Sequence, residues 1–476
     1  MKWIFPFTTL RHFGRTTLVV GAILLFESCA TYYQANQSFN QEFEQGDLED
    51  ALEALRKNAH EGRGKKEFLY MVNNGLVLSL LGRYEESNEY FENAYLFGED
   101  YRRNYLNEAA SFLTNPNLTV YKGEDHEHLL LLYYKAINYL KMSKHEEALV
   151  ECRRLNIRLQ QLSDRYDSDN KYREDAFIHN LMGIIYEADH DYNNAFIAYR
   201  NAYEIYEGSF RKMFGLTAPR QLKLDLLRAA WLSGLKDEFE EWRTTFSMED
   251  YKYEPTEAQL VFFWHNGLGP IKAEWSVNFL ISRKDNVLFF NSPELNMVFP
   301  FNVDSYDEKD RKGLANLEVF RVAFPKYVER PPYYDKAWID SGGEEIVLEQ
   351  GEDINRVAFK SLEQRMNLEF SKALIRAALK KVTEYEVRKS DKALGSVLGM
   401  INAITEKADT RNWQTLPYQI NYARVPLKVG KNDISFFVKS AKEETEHPFS
   451  YVATKGQTLF HTFTSLESKY PTYSYY

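Results

Sequence analysis

The sequence predicts an α+β protein: an N-terminal all-α solenoid of paired helices, then an antiparallel β-domain interrupted by a helical hairpin. Three observations carry this. One small-and-aromatic pattern recurs between residues 46 and 202. After Phe246 the pattern gives way to short runs of Val, Phe and Ile punctuated by Gly and Pro. Between two groups of such runs, Phe359, Leu362, Met366, Phe370, Ala373 and Ala377 recur at steps of three and four, the spacing of a buried helix face.

The chain begins with a segment of a different kind. Lys2, Arg11 and Arg15 form a basic stretch, residues 18–26 (LVVGAILLF) a short apolar one, and the small Ser28 precedes Cys29. This order is that of a secretory leader, and residues 1–28 are expected to be a lipoprotein signal peptide cleaved before an acylated Cys29. The apolar run is shorter than the roughly 20 residues that span a bilayer. Ala30 to Gln34 carry no acid, and Glu42 is the first one downstream. An Asp after the cysteine resembles an inner-membrane retention signal and an acidic cluster resembles a surface-export signal. With neither present, the expected place is the outer membrane, facing the periplasm.

Composition restricts the partners. Lys and Arg number 59 against 69 Asp and Glu, a net charge of −10. Loss of the leader would remove three of those cations and one acid, so the remainder is more acidic still. Such a chain is repelled by phosphate backbones, and no nucleic-acid partner is expected. Cys152 is the second of two cysteines, so acylation of Cys29 leaves no disulfide.

Residues 29–250 are expected to hold the repeats. Gly75, Leu78, Gly82, Tyr84, Ser87, Phe91 and Ala94 stand at tetratricopeptide (TPR) spacing, a helix-turn-helix unit of about 34 residues. Gly183, Tyr186, Tyr192, Ala195, Tyr199 and Ala202 repeat it. Ala136, Tyr139, Ala148 and Cys152 form a further copy, with Cys152 in the core, and Gly46, Leu48, Ala51 and Leu55 match half a unit. A fifth pair is expected from Leu222 to Phe246, packed by Trp231 and Trp242. The wider spacing between Ser87 and Ala148 places an insertion at 98–125, with Asn115-Pro116-Asn117 as a loop. Glycine on the first helix is expected to lie against Ser87 or Ala195 on the second.

Residues 251–476 are expected to form the β-rich part. Residues 259–265, 275–283, 286–290, 318–324, 418–427, 433–439 and 457–463 read as strands, with Pro293 and Pro300 as breaks and residues 429–433 as a hairpin turn. The helical insertion covers about 353–406. Its second helix carries Gly395 and Gly399, read as a close packing contact.

Tyr121 to Glu127, Leu131 to Leu140 and Glu147 to Asn156 resemble a family of bacterial outer-membrane lipoproteins with N-terminal TPR repeats. So do Asn266-Gly267, Gly269 to Lys272, Glu406 to Trp413 and Leu416-Pro417, so the resemblance covers nearly the whole chain. It implies the anchor and the architecture, and brings no settled activity.

Motifs for chemistry are absent: there is no His-Glu-x-x-His, Gly-x-Ser-x-Gly, phosphate-loop or Cys-x-x-Cys pattern. No catalytic residue and no cofactor is assigned. Glu124 to His128 place two ligands on one helix face where zinc takes three or four, so this reads as an acidic helix start and no metal is expected. Glu151, Arg153 and Arg154 are the candidate partner-binding residues, because an arginine fork clamps a carboxylate; an internal ion pair is the alternative. Asp409, Arg411 and Trp413, on a link between helix and strand, either stabilise the turn or meet a ligand.

The expected function is a periplasm-facing scaffold, not an enzyme, that binds other cell-envelope proteins through its repeats, in envelope assembly or peptidoglycan-related regulation. A glycan-acting enzyme with paired carboxylates between the two parts is one alternative. An accessory of secretion or fibre assembly, suggested by the aromatic tail 470–476, is another.

Overall fold

The computed structural model describes residues 31–103, 119–163, 174–284, 287–293, 297–302, 319–366, 373–374 and 408–470. Cys29 and its leader, the loop at 115–117, the helix with Gly395 and Gly399, and residues 471–476 lie outside them.

Among the described residues, five helix pairs follow one another: Gln37–Gln45 with Leu48–Lys57, Glu67–Leu80 with Tyr84–Arg103, Asp125–Lys141 with His145–Ser163, Ala176–Ala188 with Tyr192–Ile205, and Arg220–Leu232 with Lys236–Thr245. The same turn closes every pair. Two residues before each second helix stands one in the left-handed region: Gly46, Gly82, Ser143, His190 and Gly234, with φ of 83°, 77°, 56°, 62° and 73°. The amide after each donates back to the carbonyl five residues earlier, as Arg83 N does to Leu78 O at 2.9 Å and Lys144 N to Tyr139 O at 2.8 Å. This is the Schellman termination, which reverses the chain within two residues. Glycine adopts it freely; Ser143 and His190 adopt it at a cost.

Inside the pairs the glycines take up large rings. A Cβ at Gly75 would lie 2.7 Å from Phe91, and one at Gly183 only 2.4 Å from Tyr199. Ser87 does meet Gly75, its hydroxyl donating to the glycine carbonyl at 2.6 Å, but the space itself belongs to the aromatic four residues further on. Cys152 is 1 % exposed, in the core. Trp231 packs edge-on to Phe239, and Trp242 to Tyr203.

Among the described residues, the C-terminal half forms three four-stranded sheets. The first is ordered β12 (Thr458–Ser465), β1 (Ala258–Asn266), β9 (Gln419–Leu427), β8 (Glu349–Asp353). The second is β11 (Glu444–Ala453), β10 (Gly430–Lys439), β6 (Lys336–Ser341), β7 (Glu344–Val347). The third is β4 (Met297–Asn302), β3 (Val287–Ser292), β2 (Ile271–Lys284), β5 (Val319–Val328).

The first sheet is the middle layer. Leu260, Phe262 and Trp264 of β1 meet Ile339, Phe436 and Val438 of the second sheet in one core, while Val261 and Phe263 point the other way, into the helical core. Alternation thus buries β1 on both faces, which explains its nearly continuous apolar run. The third sheet packs its Val277, Phe279 and Phe324 on Ala373 and Leu374 of the insertion.

Four expectations need correction. The sheets are not wholly antiparallel, since β12 runs parallel to β1; the chain leaves for the second sheet through β10 and β11 and returns to the first in the same direction as β1. Residues 429–433 do not form a hairpin turn, because β9 and β10 belong to different sheets and the turn is a corner between layers. Pro300 is no break: it sits within β4 opposite Phe289, on an edge strand, where a missing N–H is harmless. In the insertion's first helix, over 354–366, the buried face is Ile354, Val357, Ala358 and Leu362, with Phe359 rotated to the rim at 39 % exposure.

Candidate functional site

A solenoid's inner surface is lined by the first helix of each pair. Here it is already occupied by the chain itself. The first helices of all five pairs hold the C-terminal half. Asn40 accepts from the Gln414 amide at 2.8 Å, Asn73 from the Thr415 hydroxyl at 3.0 Å, and Glu127 from the Trp413 backbone N–H at 2.6 Å. Tyr133 meets His265 at 2.9 Å, and Asp225 is ion-paired with Arg424 at 3.2 Å. Trp413 is 1 % exposed, with its ring against Phe91 and Tyr134 at centroid distances of 5.9 and 6.1 Å. Segment 408–418 therefore fills the groove as a bound peptide would.

Arg411 pins the start of that segment. It forms a two-point bridge to Asp409 at 2.8 and 2.7 Å, donates to the Lys65 and Thr119 carbonyls at 2.9 Å each, and lies over the Tyr121 ring. At the other end of the junction Gly351 allows close approach, since a Cβ there would stand 2.6 Å from Phe177. Tyr206 donates to the Gly351 carbonyl at 2.6 Å.

Two buried charge clusters clamp the halves. In the first, Glu124 opens helix Asp125–Lys141 with a capping box to Glu127 and is ion-paired with Lys272 and with Arg365, the latter at 2.6 Å. Burial pushes both carboxyls up. For Glu124 the neighbouring Arg365 and Lys272 outweigh that and hold it below the usual range; Glu127, beside the charged Glu124, is raised. His126 is buried too, and desolvation lowers it to about 3. A hollow of about 180 Å³ opens alongside. In the second cluster, Glu187 and Asp225 face Arg228 and Arg424. Glu187 accepts from Arg228 at 2.7 and 2.9 Å and from Arg424 at 3.1 Å. Asp225 accepts from Arg228 at 2.7 Å. Two acids and two guanidinium groups balance. Tyr199, the ring that Gly183 accommodates, donates to Glu187 at 2.7 Å.

The junction also holds a carboxyl pair. Glu352 of β8 is raised well above its ordinary value by burial and then by Asp175. Asp175 caps helix Ala176–Ala188, accepting from Ile178 N at 2.9 Å. Both acids are buried, at 3 and 5 % exposure, and neither lines the hollow described above. The pair is packed into the junction between β8 and the start of helix Ala176–Ala188.

The sequence-derived residues fall into three places. Cys29 lies outside the described residues. Asp409, Arg411 and Trp413 come together at the junction, where their contacts are internal. Glu151 and Arg154 stand apart from it, in a groove of about 570 Å³ whose lining includes Glu85, Glu89, Glu92, Glu147, Lys135 and Lys144, and no residue of the C-terminal half. Arg154 bridges Glu92 and Glu151 at 3.2 Å each, and Lys135 pairs with Glu151 at 3.0 Å. Arg153 points elsewhere and donates to the Tyr186 hydroxyl at 3.0 Å. Glu187, Asp225 and Arg424 escaped the sequence reading, and Glu127 and Lys272 were read there without their place at the junction. A usable signal was charge inside otherwise apolar stretches, such as Arg424 in Ile420–Leu427 and Glu187 after Ile184-Ile185-Tyr186.

Among the described residues no group of three His, Cys, Asp or Glu could hold a metal ion, and no helix is long and apolar enough to cross a membrane.

No family model matches the chain, and no curated protein matches it. Solved structures do align with parts of it. MamA is 13 % identical, with a TM-score of 0.28, over 44 % of this chain and 94 % of its own. BtubC (BKLC) from P. vanneervenii is 17 % identical, with a TM-score of 0.31, over 46 % of this chain and 80 % of its own. A tetratricopeptide repeat protein from Parabacteroides merdae is 16 % identical, with a TM-score of 0.29, over 45 % and 64 %.

Proposed function

We propose that this chain is a lipid-anchored scaffold of the cell envelope, held in the outer membrane by an acylated Cys29 and facing the periplasm, whose helix pairs bind another envelope protein. The groove between the second and third pairs carries this reading. It is lined by the second helices of both pairs, with Lys135 and Tyr139 of the third pair's first helix between them, and no described residue of the C-terminal half lines it. The inner face, the usual peptide site of such an array, is filled by segment 408–418, so a partner has to use another surface. With Arg154 and Lys135 already paired to Glu92 and Glu151, the charged side chains left lining the groove are Glu85, Glu89 and Glu147 against the single cation Lys144. An acidic groove suits a basic segment of the partner, in place of the acidic or C-terminal peptide that Arg153 and Arg154 suggested. The basic-then-apolar leader ending at Cys29 supports the anchor.

The test is photo-crosslinking in the native host with a reactive residue at Glu89 or at Val150, and at exposed Trp231 as a control. The reading expects one discrete adduct, shared by the two groove positions, absent from the control and lost when Glu85 and Glu147 are changed to lysine. No adduct, or one indifferent to those lysines, refutes it. In the same cells, Cys29→Ser is expected to move the protein from the membrane to the soluble fraction; unchanged membrane retention refutes the anchor.

A further inference from the structure

Sheet edges attract other strands, and most edges in this fold are guarded. β4 carries Pro300, β5 carries Pro325 and Lys326, β7 has Glu344 and Glu345, β8 has Glu349, Glu352 and Asp353, and β11 has Glu444, Glu446 and Pro448. The remaining edge is β12, Thr458–Ser465, whose sequence TLFHTFTS has neither charge nor proline. Seven of its eight residues are only half-buried. Among the described residues, β1 is its one strand partner.

We propose that β12 pairs antiparallel with β12 of a second copy of this chain, joining the two middle sheets into one across a twofold axis at His461. The strand's own sequence selects that partner and that register. With His461 opposite itself, Leu459 faces Phe463 and Phe460 faces Thr462, while Thr458 faces Thr464. Phe460 with Thr462 is an aromatic and β-branched pair and Thr458 with Thr464 a threonine pair, both kinds that stabilise neighbouring strands, and Leu459 with Phe463 is an apolar contact beside them. The alternation is respected as well: Leu459, His461 and Phe463 lie on the face toward the second sheet in both copies, in line with Leu260, Phe262 and Trp264 of β1. Beyond the strand, the same register sets Lys455 of each copy against Glu467 of the other. Both residues are exposed. A twofold axis makes this pair twice, so charge complementarity favours a second copy over a strand of unrelated sequence. The two facing histidines do not repel. Burial, and then Lys141, lowers His461 to about 3, leaving it neutral in ordinary buffers. His447 and the rings of Phe449 and Tyr451 border the strand from β11, and His145 from the helices.

The test is sedimentation equilibrium of the full chain in a density-matched non-ionic detergent, with thermal melts of each variant beside it. The wild type is expected to be a dimer. Lys455→Glu and Glu467→Lys each place like charges together twice and are expected to weaken the dimer by about tenfold or more, with unchanged melts, while the double variant restores it to within about threefold. A monomer at tens of micromolar overturns the proposal. So does a dimer that ignores the single substitutions, or single losses that the double variant fails to repair.

Discussion

Replacing Arg424 with methionine removes one of two cations from a buried set of four charges while keeping the side chain's length. Arg424 is 7 % exposed and reaches from β9 to Glu187 and Asp225 on the first helices of two pairs. Breaking a buried ion pair by deleting one partner costs about 3–5 kcal/mol. Arg228 remains within 2.7–2.9 Å of both acids and offsets part of that cost, so the expected loss is at or just below the lower end of the range, about 2–3 kcal/mol. The loss is read from urea unfolding at pH 7, with an unchanged m-value showing that the compact state is the same. Its pH dependence follows from Glu187. Burial raises this carboxyl, but Arg228 and Arg424 together hold it below its ordinary 4.5. A depressed acid contributes stability above its unfolded value and loses it as pH falls, so the gap between wild type and variant is expected to close below about pH 4.5. Adding Asp225→Asn rebalances the charges and is expected to recover more than half of the loss. A single variant within about 0.5 kcal/mol of wild type, or a double variant no better than the sum of its parts, refutes the clamp.

Trp413→Ala is expected to cost about 3–5 kcal/mol in the same urea assay, because it empties the ring's place between Phe91 and Tyr134; a loss under about 1 kcal/mol contradicts the filled groove. Ser143→Gly relieves a left-handed turn at φ 56° and is expected to raise stability by about 0.5–1 kcal/mol, read as an increase in urea midpoint. His265 is lowered by burial, and then by Lys141, to about 3 from an ordinary 6.5. The unfolded chain binds the extra proton between those values, so this residue makes stability fall as pH drops. His265→Gln, which keeps a partner for the Tyr133 hydroxyl, is expected to flatten the dependence of stability on pH between 4 and 6 by up to about 1.4 kcal/mol per unit; an unchanged slope contradicts it.

The repeats were legible because their packing needs specific residues. A glycine beneath Phe91 or Tyr199, and a left-handed turn at Gly46, Gly82 or Gly234, leave marks that periodicity alone would not. The strands β1, β2, β9 and β10 were legible from their apolar runs. Those missed were β4, β6, β7, β8 and β11; β8 has the polar EQGED because it lies at the junction among Asp175 and Gln419, and β11 has alternating charges and Pro448 that suit an edge. The filling of the inner face was not legible. It depends on contacts between residues more than 250 positions apart, such as Glu127 with Trp413, and each half reads as plausible alone. One clue was available: β1 is apolar on both faces, which requires a third layer, and the solenoid is that layer. Arg154 shows the opposite failure. An arginine two residues from an aromatic slot looks like a clamp for a partner, and only the structure brings Glu92 from the preceding pair to satisfy it.

The claim on which the rest depends is that the C-terminal half fills the solenoid and the two unfold as one. Hydrogen exchange measured by mass spectrometry across a urea series tests it directly. Peptides covering helix Asp125–Lys141 and strand Gln419–Leu427 are expected to lose protection at the same urea concentration. Strand peptides that exchange fully while the helix stays protected would contradict it.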